Sequence, residues 1–169
     1  TTSSQTYSNL ATTTTYRAIV KSGVCAIDSS STATITVNAA SNAGTISGTA
    51  TVCATSNSGT VSVTGSVGTV QRWESSPNGT SWSTVANTTT SLSYSSLTAT
   101  TYYRMVVKSG VCAEATTGNA IITVNPTTVG GTVSSSATVC SGSSGTLTLS
   151  GNIGAVQRWE SSINGGASW

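Results

Sequence analysis

A chain of 169 residues with six basic and four acidic side chains, no histidine and no phenylalanine offers no electrostatic footprint for nucleic acid. No apolar stretch approaches the roughly 20 residues that span a bilayer as a helix, so no membrane insertion by this segment is expected. With a lone Asp28 and glutamates only at 74, 114 and 160, the chain lacks the triads, paired carboxylates and clustered ligands of acid–base, nucleophilic or metal-assisted chemistry. No enzyme activity, cofactor or metal site is therefore expected.

Threonine and serine dominate the composition, but they alternate with Val, Ile, Leu and Tyr at period two, as in TISGTATV, TVSVTG and AIITV. That is strand patterning, and β-branched threonine supports it while keeping the outward faces wet. In chain order, TTYRAIVKSGVC reaches Cys25 and returns as TTYYRMVVKSGVC reaching Cys112. The stretch from Thr51 to Trp82, TVCATSNSGTVSVTGSVGTVQRWESSPNGTSW, returns from Thr138 to Trp169 as TVCSGSSGTLTLSGNIGAVQRWESSINGGASW. Both offsets are 87, give or take one residue. The unit is out of phase with both ends, which predicts a window on a tandem array: 1–37 the closing part of one repeat, 38–125 a complete repeat, 126–169 the opening part of the next.

The complete copy reads as seven short strands, near Thr45–Val52, Thr60–Thr64, Val70–Ser75, Ser81–Val85, Ser91–Tyr94, Thr101–Lys108 and Asn119–Val124, punctuated by glycines, Asn-Gly and Ser/Asn clusters. Seven strands, a tryptophan on the third and a tyrosine opening the sixth predict an all-β chain of tandem immunoglobulin-like β-sandwich repeats. In VQRWESS, alternation turns Trp73 inward and Arg72 and Glu74 to water. Tyr103 and Met105 share the inward face of the sixth strand. Met105 stands where antibody domains place their second core cysteine and Val63 where they place the first, so Trp73 is expected to pack on Val63 and Met105. The earlier copy offers Tyr16, Ala18 and Val20 at matching positions.

Cys25, Cys53, Cys112 and Cys140 recur at two phases of the repeat, which fits disulfides in an oxidising, extracellular setting and not zinc. In a sandwich of this order, the Cys53-type turn lies where the chain leaves and the Cys112-type hairpin where it comes in. Pairing within one repeat is thereby disfavoured, and the neighbouring repeat becomes the candidate partner. SSINGGASW, ending at Trp169, resembles the Asp-box hairpin turn and is read as a turn. Trp82 and Trp169 are candidate sugar-stacking platforms, against a plain packing role over the sandwich edge.

Taken together, VCSGSSGTLTLSG, VQRWESS, the NTTTSLSYSSLTATTYYRMVVKSGVC run and the IITVNPTTVGG link resemble repeats of the giant gliding-motility adhesins of Bacteroidota, the SprB-like proteins. The resemblance implies an extracellular, cell-surface filament exported by the type IX secretion system. Its immediate partners are neighbouring repeats of the same array, with surface polysaccharide or the substratum as further ones. Two other functions fit the same residues: a carbohydrate-binding module array on a secreted protein, and a passive spacer or biofilm fibre.

Overall fold

The computed structural model describes residues 2–169; Thr1, the first residue of the 1–37 segment, lies outside them. Every regular element among the described residues is a strand, and none is a helix. The first segment holds β1 (Thr14–Tyr16), β2 (Ile19–Lys21), β3 (Ile27–Ser29) and β4 (Ala33–Ile35), in two antiparallel pairs, β1 with β4 and β2 with β3.

The central unit follows with β5 (Thr45–Ser47), β6 (Ala50–Cys53), β7 (Ser58–Thr64), β8 (Thr69–Ser76), β9 (Ser83–Val85), β10 (Ser91–Ser95), β11 (Thr101–Lys108), β12 (Ala115–Thr116) and β13 (Ala120–Asn125). A three-stranded sheet runs β10-β7-β5, and a six-stranded sheet runs β6-β13-β11-β8-β9 with β12 also on β11. Side chains from both sheets close one core, consistent with a β-sandwich. Val61 and Val63 of β7 meet Trp73 of β8, Met105 of β11 and Ile122 of β13, all at most 4% exposed. Met105 and Trp73 are direct cross-strand partners, and the Trp73 indole N–H donates to the Thr89 carbonyl at 2.8 Å, so the largest buried side chain leaves no polar atom unmet. Tyr103 stacks on Tyr94 with ring centroids 6.3 Å apart, and Gly59 stands opposite Tyr94 because a Cβ there would strike the phenol ring.

The first predicted strand, Thr45–Val52, is in fact two. β5 pairs antiparallel with β7 in one sheet, whereas β6 pairs parallel with β13 in the other. Gly48 makes the crossing at φ +104, where an added Cβ would sit 2.6 Å from the Thr60 carbonyl oxygen. The last strand also has a forerunner that alternation did not reveal, the two-residue β12.

The last segment contributes β14 (Thr132–Ser134) and β15 (Thr148–Ser150), paired Thr132 to Ser150, Val133 to Leu149 and Ser134 to Thr148. This reproduces β5 against β7, where Thr45 faces Thr64, Ile46 faces Val63 and Ser47 faces Ser62. What differs is the covering sheet. Trp159, the counterpart of the fully buried Trp73, is 55% exposed. An open cleft of ≈ 530 Å³ lies between Leu147 and Trp159, at the positions that Val61 and Trp73 close in the central unit. In the first segment Ile19, Val20 and Ile27 are likewise exposed.

Asn57 holds the pole where the central unit ends. Its side-chain amide donates to the Cys53 and Leu97 carbonyls at 2.7 and 2.8 Å and its oxygen accepts the Leu97 N–H at 2.9 Å. Replacing it by alanine strands these backbone groups, and Asn57→Ala is expected to lower unfolding stability by about 2 kcal/mol in a urea titration. Native-state hydrogen exchange should show slow amides confined to β7, β8, β11 and β13, with rapid exchange across residues 2–37 and 126–169. Equal protection in all three segments of the monomer would contradict this picture.

Candidate functional site

Period two along β8 places Arg72 and Glu74 on the face opposite Trp73. Because Arg104 of β11 stands directly across from Glu74, one carboxylate meets two guanidiniums. Glu74 Oε2 accepts from Arg104 Nε at 2.6 Å, and Oε1 accepts from Arg72 Nε at 2.7 Å. Arg72 Nη1 reaches on to both oxygens of Glu114, at 3.1 and 3.3 Å. At the other end, the Arg104 guanidinium carbon lies 3.9 Å from the centroid of the Trp82 ring, within cation–π range. Trp82, Arg104, Glu74, Arg72 and Glu114 thus form one row across the outer face of the six-stranded sheet.

The row corrects the expectation that Glu74 faces water, since that residue is only 7% exposed beneath its two arginines. Burial by itself raises its pKa. The hydrogen bonds from Arg72 and Arg104, with their positive charge, outweigh that and hold the carboxyl below the ordinary glutamate value of 4.5. A carboxylate with each oxygen accepting from a guanidinium stays ionised, so the arrangement works as an electrostatic clamp between β8 and β11.

Trp82 is half-buried, with one ring face taken by Arg104. Trp169 is 75% exposed. The hairpin turn before Trp82 is closed by its own side chains: Asn78 Oδ1 accepts the N–H groups of Thr80 and Ser81, and Ser76 Oγ accepts those of Asn78 and Gly79. Asn164 and Ser162 repeat the device before Trp169, accepting from Ser168 and Gly166. Val63, Trp73, Tyr103 and Met105 all lie in the core.

The four cysteines carry free thiols, with Cys25, Cys53 and Cys140 exposed and Cys112 half-buried. Cys53 is in register with Asn125, the last residue of β13. Cys112 instead lies by the segment leading into the unit, its Sγ 3.8 Å from the Asn38 carbonyl oxygen and 3.5 Å from that of Ala39. Cys53 and Cys112 thus occupy opposite poles. The sequence reading missed Arg104, Glu114 and Asn57. For the first two, the available signal was the offset of unlike charges on two adjacent strands, R-W-E against Y-R-M.

Residues 1–39 and 42–126 match a family described as a domain of unknown function, DUF8696, and together these matches span more than half of the chain. The chain belongs to this family. The second match takes in β5 to β13 with the outer-face row, and the first takes in β1 to β4 with Cys25. No curated protein and no solved structure matches the chain.

The depressed pKa of Glu74 sets a pH dependence in this DUF8696 unit. Its contribution to stability is complete above the unfolded-state value near 4.5 and is lost as pH falls through the lower folded-state value. The thermal midpoint should therefore drop as the medium is acidified below that region. Glu74→Gln should cost about 2 kcal/mol at pH 7 and blunt the acid limb, as followed by calorimetry. A Glu74→Gln variant with wild-type stability and an unchanged acid limb would rule the clamp out.

Proposed function

We propose that the chain is part of a tandem array of immunoglobulin-like sandwiches, about 87 residues each, forming the shaft of a long extracellular, cell-surface adhesin. Residues 1–37 close one sandwich, 38–125 make a complete one and 126–169 open the next. The observation that carries this reading is the placement of the two chain crossings at opposite poles. The chain comes in along Cys112 at Asn38 and leaves beside Cys53 at Asn125, with only six residues between β13 and β14. A unit threaded from pole to pole and joined by so short a connector transmits tension along its strands and has little freedom to hinge. The matching registers of β5/β7 and β14/β15 support the recurrence of the unit.

The resemblance to gliding-motility adhesins of Bacteroidota supports a filament exported by type IX secretion. In this reading the shaft does no catalysis and binds no cofactor. Its partners are its neighbouring repeats, while contact with polysaccharide or substratum falls to other parts of the filament. The carbohydrate-binding alternative is weakened by Arg104 on the face of Trp82, which removes one stacking surface for a pyranose.

Antibody raised against the chain and applied to intact native cells should decorate fibres projecting from the surface, and the purified chain should bind no glycan on an array. Label confined to the cell interior would refute the surface filament. Saturable glycan binding abolished by Trp82→Ala would move the function to carbohydrate recognition.

A further inference from the structure

Two cysteines of opposite repeat phase converge on the same backbone carbonyl when one unit follows another. ITVN at 35–38 recurs at 122–125, so Asn38 and Asn125 are the same position of the repeat, each at the junction between one unit and the next. At Asn38, the hairpin cysteine of the following unit, Cys112, brings its Sγ to within 3.8 Å of the carbonyl oxygen. At Asn125, the equivalent carbonyl accepts the Ala54 N–H at 2.9 Å, and Asn125 is the parallel partner of Cys53. Carrying the first junction onto the second puts the hairpin cysteine of a succeeding unit beside the carbonyl that already holds Ala54, next to Cys53 in the chain. Within one unit the two thiols cannot meet. The eight residues of β11 separate their poles by roughly 25 Å at about 3.3 Å per residue, against a disulfide Cα separation of at most about 7 Å.

We propose that Cys53 forms a disulfide with the Cys112-type cysteine of the next unit, so that each junction of the array is closed covalently, as Cys140 would close the one after it. The bond forms by thiol–disulfide exchange with an oxidised dithiol or glutathione disulfide. One cysteine thiolate attacks that disulfide and expels a thiolate, and the second cysteine thiolate attacks the mixed disulfide and expels the other. The two electrons lost by the cysteines end on the reduced oxidant, and the two thiol protons go to solvent. The proposal depends on units succeeding one another as they do at Asn38, and not on where the array is anchored.

The test uses the full chain extended after Trp169 by a second copy of residues 83–125, which completes the last unit, with Cys25→Ser and Cys140→Ser throughout. One variant adds Cys112→Ser, leaving Cys53 and the appended cysteine. The other replaces the appended cysteine by serine, leaving Cys53 and Cys112. After equilibration in a glutathione redox buffer, non-reducing peptide mapping should find the intramolecular cross-link at least tenfold more abundant in the first variant. In urea the order should reverse, because an unfolded chain closes the shorter loop more readily. A native Cys53–Cys112 cross-link as abundant as the junction one overturns the proposal. So does a first variant whose β-sheet circular dichroism matches the unextended chain while both thiols stay free or glutathione-capped.

Discussion

The parallel pairing of β6 with β13 is the constraint on which the geometry of the unit depends. A strand that stayed in one sheet from Thr45 to Cys53 would leave β13 with an open edge. It would also leave the chain's way out unsupported. The crossing at Gly48 lets β6 lie along β13 in register from Ala50 with Ile122 to Cys53 with Asn125, so both strands finish side by side at the same pole. β11 runs the other way, and the hairpin beyond it returns to the pole where the chain came in. Glycine serves the crossing because its backbone passes against Val61 with φ +104; in the last segment Ser135 holds the matching position, also at positive φ.

Around that frame the two faces of the six-stranded sheet do different things. The inner face supplies Trp73, Met105 and Ile122 to a core closed by β7, and burial of such side chains contributes about 2 kcal/mol each. The outer face is tied by charge, with Glu74 clamped between Arg72 and Arg104. Arg158 still meets Glu160 at 2.7 Å in the last segment, but the core does not close without its opposing strands. Trp159 and Val20 match the inward positions of Trp73 and Val107, yet both are more than half exposed where the facing sheet is missing. Sequence sets which residues are able to form a core, and the presence of a facing sheet decides whether they do.

Most of the strand inventory and the inward residues were legible because they rest on a period-two pattern and on volume: alternation turned Trp73, Tyr103 and Met105 inward, and the spacing of antibody domains marked Met105 as a core position. The strand split was hidden because TISGTATV alternates without interruption. Only Gly48 marked the crossing, and glycine in a strand has several meanings. Burial of Glu74 was illegible for a different reason, since it follows from the register that sets Arg104 opposite it, and register is a property of two distant segments. Asn57 escaped notice as one more polar residue in a Ser/Asn-rich turn, although its partners lie as far away as Leu97. Its role comes from the fold, with no local signal to announce it.

The account's central claim is that units stack in line, each receiving the chain at one pole and releasing it at the other. Small-angle X-ray scattering from chains of two, three and four complete units tests it most directly. The claim requires the maximum dimension to rise by the same increment with every added unit, the behaviour of a rod. Growth with roughly the square root of the number of units, as expected for beads on flexible tethers, would contradict it.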